Sequence, residues 1–240
     1  MVNALKSILD LTLPRSCTHC RAIVDGSPYD FICSTCALEI IECRPPACKI
    51  CGYPFFGNIF KAKTCPHCTE FDPVFDQGKS LFIAKGGGRS LIHALKYRRG
   101  LYVLDDLYRM VIRSKHYLEY IQHAVLVPVP LHPARLRERG FDQSKSIARM
   151  LVRCTGNSAR IENLLVRKHY TKSQTQLNRL ERYPNVRDAF TLARNPVLAS
   201  SKSYILVDDV FTTGSTLNAC AHVLRRAGAN KVKVVTIGHG

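Results

Sequence analysis

Residues 204–216 read Tyr-Ile-Leu-Val-Asp-Asp-Val-Phe-Thr-Thr-Gly-Ser-Thr, and residue types in this order can hold an anion beside a diol. The apolar run Tyr204–Val207 predicts a strand buried on both faces. Asp208 and Asp209 are expected to end it. A loop of small residues, Thr212 to Thr216, follows, and a helical pattern opens from there. A strand, a tight loop and a helix N-terminus together converge backbone N–H groups on one point, and the helix dipole adds about half a positive charge. Gly214, without a Cβ, lets the backbone come close to a phosphate. Thr212, Thr213, Ser215 and Thr216 add hydroxyl donors. Two carboxylates beside a phosphate cradle repel the phosphate itself. They make sense for a ligand that also presents a diol or a metal. A ribose 5-phosphate meets that condition, with its phosphate in the loop, its hydroxyls on Asp208 and Asp209, and Mg²⁺ nearby. The plainer alternative is a strand end whose acids cap the next turn.

The segment resembles the phosphoribosyl-pyrophosphate (PRPP) motif of type I phosphoribosyltransferases: an apolar strand, Asp-Asp, then a Thr-Thr-Gly-x-Thr loop. No Gly-x-Gly-x-x-Gly follows this strand, and no Gly-Lys-Ser/Thr marks a nucleoside triphosphate site.

The elements that must position these groups alternate. Strands are expected at Ser80–Ala84, Ala124–Pro130, Tyr204–Val207 and Lys231–Ile237. Helices are expected at Arg89–Tyr97, Leu101–Ile112, Phe141–Cys154 (capped by Asp142 or Ser144) and Thr216–Ala227. Gly86-Gly87-Gly88 reads as a flexible loop. This alternation predicts an α/β fold, a parallel sheet flanked by helices with right-handed crossovers. Ligands of such sheets sit at the carboxyl ends of the strands. The strand around Val127 leads into Leu131-His132-Pro133-Ala134-Arg135-Leu136-Arg137-Glu138-Arg139-Gly140. In phosphoribosyltransferases a loop after an early strand holds pyrophosphate, and the arginine fork suits one phosphate bidentately. Arg139 is the first candidate and Arg135 the second, with an exposed basic turn as the alternative. His132 is open to either a structural or a catalytic role. Residues 164–190, polar and basic with Thr171, Ser173, Gln174 and Arg182, read either as a lid that closes over the ligand or as an ordered connector.

Eleven cysteines are many for one chain of this length. Cys17-x2-Cys20 and Cys33-x2-Cys36 stand twelve residues apart, and Cys48-x2-Cys51 and Cys65-x2-Cys68 thirteen. Each pair places two thiolates on one metal, and four thiolates close a tetrahedral Zn²⁺ shell with no vacancy for water. Disulfides need an oxidising compartment, of which the sequence gives no sign, and a redox dithiol explains at most one pair. Two structural Zn²⁺ in tandem ribbons are expected, each from neighbouring pairs, with an interleaved pairing left open. His19 and His67, inside the turns, read as solvated rather than ligating. Cys43 is spare, and Cys154 and Cys220 read as small hydrophobes within helices. The expected division is 1–75, an N-terminal helix and double zinc ribbon, and 76–240, the sheet domain. So small a head needs its metal to fold.

Composition bounds the rest. An apolar fraction of 46% is ample for a core. Neither a run of membrane-spanning length nor a secretory pattern is present, which points to the cytoplasm. Residues 1–80 carry 8 basic and 8 acidic groups, so the whole net charge of +17 sits in residues 81–240. Such a field attracts polyanions: nucleic acid, phosphorylated metabolites or an anionic membrane face, with a solvated basic surface as the plainer alternative.

Taken over almost its full length, the chain resembles the ComF/ComFC family of competence-associated phosphoribosyltransferase-like proteins. The residues that carry the likeness are the cysteine-pair head, Leu95-Lys96-Tyr97-Arg98, Val127–Leu131 with Arg135–Gln143, Thr171–Arg182 with Asn185 and Ala189-Phe190, and Val207–Gly214. Family members usually have Asn where Asp142 stands, which makes Asp142 a poor contact. The resemblance implies PRPP with Mg²⁺ as ligand, through Asp208, Asp209, Thr212–Thr216, Arg139 and Arg135. It also implies a role in DNA uptake during natural transformation: handling single-stranded DNA at the cytoplasmic side of the inner membrane, with competence proteins as partners. Phosphoribosyl transfer and a non-catalytic, PRPP-sensing DNA-binding role stay open as alternatives.

Overall fold

The structure is a computed structural model and describes residues 15–57, 63–97, 100–168, 189–194 and 198–240. The expected N-terminal helix, Arg98, Asn185 and the lid residues Thr171, Ser173, Gln174 and Arg182 lie outside them. No helix among the described residues is long and apolar enough to cross a membrane.

Five strands form one parallel sheet: β1 (Gln77–Ile83), β2 (Val125–Pro128), β3 (Arg160–Ile161), β6 (Ser203–Phe211) and β7 (Lys231–His239). Their spatial order is β1-β7-β6-β2-β3. The longest ladder joins β6 and β7, from Ser203 opposite Lys231 to Phe211 opposite His239. A small antiparallel pair, β4 (Leu165–Arg167) and β5 (Phe190–Leu192), stands apart from it. The parallel sheet expected from the alternation is present, and its central strands are apolar because helices cover both faces.

One face is covered by α3 (Gly86–Tyr97), α4 (Leu104–Arg113), α5 (Lys115–Ile121) and α7 (Gln143–Cys154). Leu91, Leu95, Leu107, Val111, Ile147 and Leu151 of these helices are fully buried. The other face is covered by α8 (Ser215–Arg226) and by the second half of the cysteine-rich head, whose Cys48, Cys51, Cys65 and Cys68 join Phe75, Phe211, Leu217 and Leu224 in one core. Two short helices belong to the head, α1 (Ser34–Leu38) and α2 (Pro66–Phe71); a third, α6 (Pro133–Arg139), follows β2.

Four expectations need correction. The acid pair does not end its strand: β6 runs on through Val210 and Phe211, because these pair with Gly238 and His239 of β7. Gly86-Gly87-Gly88 is the first turn of α3, not a loop. A Cβ on Gly88 would stand 2.8 Å from the Phe82 ring, and one on Gly87 3.0 Å from the Cys36 carbonyl, so these glycines serve close packing. The predicted helix Leu101–Ile112 is a 3₁₀ turn followed by α4, and α5 was not foreseen. The arginine segment is helical, with Pro133 in its first turn and left-handed Gly140 closing it.

The first half of the head docks on α4 through one carboxylate. Asp106 is fully buried and accepts the backbone N–H groups of Asp30 (2.7 Å) and Phe31 (2.8 Å). Asp30 in turn pairs with Arg15 and with Arg109 (2.7 Å). Burial raises the Asp106 pKa, partly opposed by the two amides. Asp106→Ala leaves both amides without an acceptor, so it is expected to destabilise the protein by about 2–4 kcal/mol. A urea melt reads this as a lower midpoint, with zinc content unchanged. An unaltered midpoint would show that the carboxylate does not hold the head.

Candidate functional site

The acid pair lies near the carboxyl end of β6, and three elements converge on it. Asp208 Oδ1 accepts from its neighbour's backbone, Asp209 N–H, at 2.9 Å, and from the Ser144 hydroxyl at 3.1 Å. Ser144 stands in the first turn of α7, which Asp142 caps by accepting the Lys145 N–H at 3.0 Å. Asp142 therefore holds the helix, and Ser144 holds the acid. Lys96, at the end of α3, places its Nζ 3.2 Å from Asp209 Oδ1. The Asp208 carboxyl is pushed up to about 7, first by burial and second by the charge of Asp209; Lys96 and Ser144 pull the other way. Two acids forced together in partial desolvation, with one ammonium paired to Asp209, form a site that favours a cation or a hydroxyl donor. Beside Ser144, Gln143 is buried and both polar atoms of its side chain lack a partner.

After β6 the chain turns at Thr212–Gly214 and enters α8. Gly214 is left-handed, with φ of 76°, which favours glycine over any residue with a Cβ. No side chain caps α8 in the usual way, and its first turn holds no acid. The Thr213 hydroxyl lies 2.9 Å from that of Ser215, and more distantly (3.4 Å) accepts the Ser215 N–H. A helix start without an acid, beside hydroxyls, is an anion-binding feature. The Cβ that Gly214 lacks would not face a ligand, however. It would stand 2.7 Å from the Phe211 ring and 2.9 Å from that of Phe71. The close approach this glycine permits is to two aromatic rings.

Arg135 and Arg139 stand four residues apart on α6 and so share one face of it. Arg139 stacks over the Tyr97 ring, 5.3 Å from its centroid, and Tyr97 adjoins Lys96. The structure thus links Arg139 to the C-terminal end of α3, where Lys96 stands. His132 caps α6, accepting the Ala134 N–H at 3.2 Å, which is a structural role. Sequence reasoning missed Ser144 and left Lys96 unplaced, because both meet the acids only through the fold.

Two further sites are built of cysteine. The sulfurs of Cys17, Cys20, Cys33 and Cys36 lie within 4.8 Å of one another, and so do those of Cys48, Cys51, Cys65 and Cys68. Neighbouring pairs share a site, as expected, and the interleaved pairing is excluded. Thiolates about 2.3 Å from a tetrahedral zinc stand roughly 3.8 Å apart. Cys20 and Cys33 sulfurs are 3.7 Å apart, as are those of Cys51 and Cys65. The donor sets fit structural zinc. Burial raises the Cys17 thiol, yet the backbone N–H groups of Cys33, Cys20 and His19 bring it down to about 6. Hydrogen bonds from the Cys51 and Cys68 thiols hold Cys48 well below an ordinary thiol. Each cluster thus has a sulfur ready to lose its proton to a metal. Cys43 belongs to neither cluster; burial and the charge of Glu42 push it up to about 12. Cys154 and Cys220 are buried within α7 and α8, as hydrophobes. Neither His19 nor His67 belongs to a cysteine cluster, as expected; His19 is exposed in its turn, whereas His67 is half-buried at the start of α2. His19 Nδ1 lies 3.0 Å from the Ser90 hydroxyl, and His67 Nε2 lies 3.1 Å from the Thr213 carbonyl.

Comparison with known proteins matches these parts. Residues 8–69 match a family described as Double zinc ribbon domain, and residues 139–238 one described as Phosphoribosyl transferase domain. The chain is similar to DNA utilization protein YhgH of Salmonella typhi, 31% identical over 93% of this chain and 96% of that protein. It is similar to Competence protein F of Haemophilus influenzae, 27% identical over 91% of this chain and 94% of that one. Competence protein ComFC of Bacillus subtilis is 24% identical over 87% of this chain and 83% of its own.

Proposed function

Because the chain belongs to the family of competence protein F and the DNA utilization proteins, we propose that its sheet-end site binds PRPP with Mg²⁺ and serves DNA uptake. The observation that carries this reading is the acid pair of β6 beside an α8 N-terminus without an acid, joined by a turn with left-handed Gly214. The 5-phosphate lies on the amides and hydroxyls of Thr212, Thr213, Gly214, Ser215 and Thr216. The ribose hydroxyls donate to Asp208 and Asp209, displacing Lys96 from the second acid. Arg139, with Arg135 one turn away, faces the pyrophosphate. Mg²⁺ brought in by PRPP neutralises pyrophosphate oxygens.

In the transferase reading a nitrogen nucleophile attacks C1 of the ribose. The C1–O bond breaks, its electron pair leaves with pyrophosphate, and the nucleophile loses its proton to water. The protein supplies position and charge, not a covalent partner. Titration of the protein with PRPP tests the site: Mg²⁺ is expected to tighten binding by about tenfold or more, and no binding in either condition ends the proposal. Pyrophosphate release with candidate bases then tests transfer.

A second reading keeps PRPP as a signal and uses the basic surface to hold single-stranded DNA. The charge of residues 81–240 favours it, as do partly exposed arginine–aromatic pairs such as Arg139 on Tyr97 and Arg153 on Tyr108. Salt-dependent retention of single-stranded DNA without pyrophosphate release selects it. The place of action would be the cytoplasmic side of the inner membrane, beside competence proteins.

A further inference from the structure

The second zinc ribbon reaches the turn that is the proposed phosphate cradle. His67 lies within the Cys65–Cys68 turn, and its Nε2 is 3.1 Å from the Thr213 carbonyl, 146 residues away. A carbonyl only accepts, so Nε2 carries the proton and donates. The His67 ring stacks on Phe71 of α2, with centroids 5.5 Å apart and planes 8° from parallel. Phe71 and Phe211 together fill the space beside Gly214. Phe211 stacks in turn on His239, with centroids 4.8 Å apart, and His239 meets the edge of Tyr53, which follows the Cys48–Cys51 turn. The back of the turn is therefore one wall of rings, and most of that wall belongs to the metal-binding head. The first ribbon differs. Its histidine at the matching place, His19, reaches Ser90 on α3, away from this turn.

We propose that His67 is a positioning residue, through which the second zinc ribbon sets the conformation of the Thr212–Thr216 turn and so its affinity for a sugar phosphate. A tight turn with hydroxyls and a left-handed glycine has several accessible shapes, of which one aligns its amides. Fixing the Thr213 carbonyl from behind orients the Thr213–Gly214 peptide, whose N–H faces the opposite way. The cysteine turn that carries His67 is rigid only when Cys65 and Cys68 share a metal with Cys48 and Cys51. Metal at a structural site thereby preorganises a ligand site it does not touch. The affinity half of this inference rests on the PRPP reading; the conformational half does not.

The test uses the full chain with His67→Ala, His67→Asn and His67→Gln. Asparagine is too short to reach the carbonyl, whereas glutamine keeps a donor at similar reach. Zinc is measured by mass spectrometry, and amide hydrogen exchange is followed at residues 212–216 without ligand. Exchange there is expected to quicken about tenfold in the alanine and asparagine variants and to return toward wild type with glutamine, at two zinc per chain throughout. PRPP–Mg²⁺ affinity should follow the same order. His19→Ala should leave both readouts unchanged. Exchange that stays at the wild-type rate in His67→Ala and His67→Asn overturns the inference. So does equal loss of protection in all three variants, or loss of zinc from all three, which would make His67 a residue of the ribbon alone. If the wild-type protein itself does not bind PRPP, the functional reading fails, and the exchange data still decide whether His67 holds the turn.

Discussion

Asp208→Asn should lose PRPP affinity by about 100-fold and, without ligand, melt several degrees higher than the wild type. The two effects share one cause. The Asp208 carboxyl is pushed from the ordinary 3.8 to about 7 by burial and by its neighbour Asp209. At neutral and higher pH the folded protein keeps two close carboxylates charged at a cost. Asparagine has nearly the same shape, and its carbonyl can still accept from Ser144 and from the Asp209 N–H. Removing the charge should recover about 2–4 kcal/mol at pH 8, at 1.36 kcal/mol per pKa unit, or several degrees in a chain this size. The same charge is what a diol and a nearby Mg²⁺ use, and loss of charged hydrogen bonds accounts for the fall in affinity. Asp209→Asn makes the contrast. It should weaken PRPP equally and bring less stabilisation, because it also breaks the Lys96 ion pair of 3.2 Å. Calorimetry and a thermal melt check both variants. Unchanged PRPP binding in either would remove the acid pair from the site.

The pH dependence follows with a fixed sign. A carboxyl with a folded pKa above its unfolded value holds its proton more tightly in the folded protein. The contribution of Asp208 to stability therefore falls as pH rises from about 4 toward 7, and changes little above that. Affinity for PRPP–Mg²⁺ should move oppositely, rising as Asp208 ionises near pH 7. In Asp208→Asn the first of these slopes disappears. Ligand-free melting temperatures at pH 5, 6, 7 and 8 measure it.

How far the sequence discloses this site depends on how far apart its parts lie. The Asp-Asp pair, the hydroxyl turn and Gly214 are contiguous, so their order alone reveals an anion site beside acids. The cysteine pairs are legible for the same reason: each Cys-x2-Cys is a local turn. Contacts between distant segments are not legible. Ser144 meets Asp208 from 64 residues away, and Lys96 arrives on a different helix. The strand was drawn too short because the partners of Val210 and Phe211 are Gly238 and His239, which no local pattern reveals. Gly86–Gly88 misled for a related reason. A glycine triplet favours a loop by propensity, but here packing against Phe82, Ile32 and Cys36 overrides it. The charges of Arg135–Arg139 suggest a basic loop, although Pro133 and Gly140 are the start and stop of a helix. His67 shows the limit most clearly. Its spacing is that of a turn residue, and its partner, Thr213, lies 146 residues further along the chain.

Breaking the second zinc site should do more damage than breaking the first, although the two use the same four-cysteine set. Cys48, Cys51, Cys65 and Cys68 are all buried, and they join the core that covers one face of the sheet, with Phe75, Phe211, Leu217 and Leu224. The first site includes an exposed sulfur residue, Cys20, and its own small cluster around Ile32. It meets the body through Asp106, the arginine pairs of Asp30 and the partly buried Phe31 and Ile40, which pack on the opposite core. Four-thiolate zinc contributes about 10–16 kcal/mol in small ribbons that cannot fold without it. In the first ribbon that loss is expected to be smaller, because its Phe31 and Ile40 are only partly buried against the core and the docking carboxylate belongs to α4. In the second it removes part of the wall behind Phe211 and Gly214, and with it the backing of the phosphate turn. Cys51→Ser is therefore expected to lose one zinc per chain, to lower the melting temperature by more than about 10 °C, and to abolish PRPP binding. Cys20→Ser should also lose one zinc, while the sheet domain still melts cooperatively and still binds PRPP. Zinc analysis, circular dichroism and calorimetry on the two variants give the comparison. Equal effects of the two substitutions would mean that the head acts as one unit, and that its second ribbon has no special hold on the sheet.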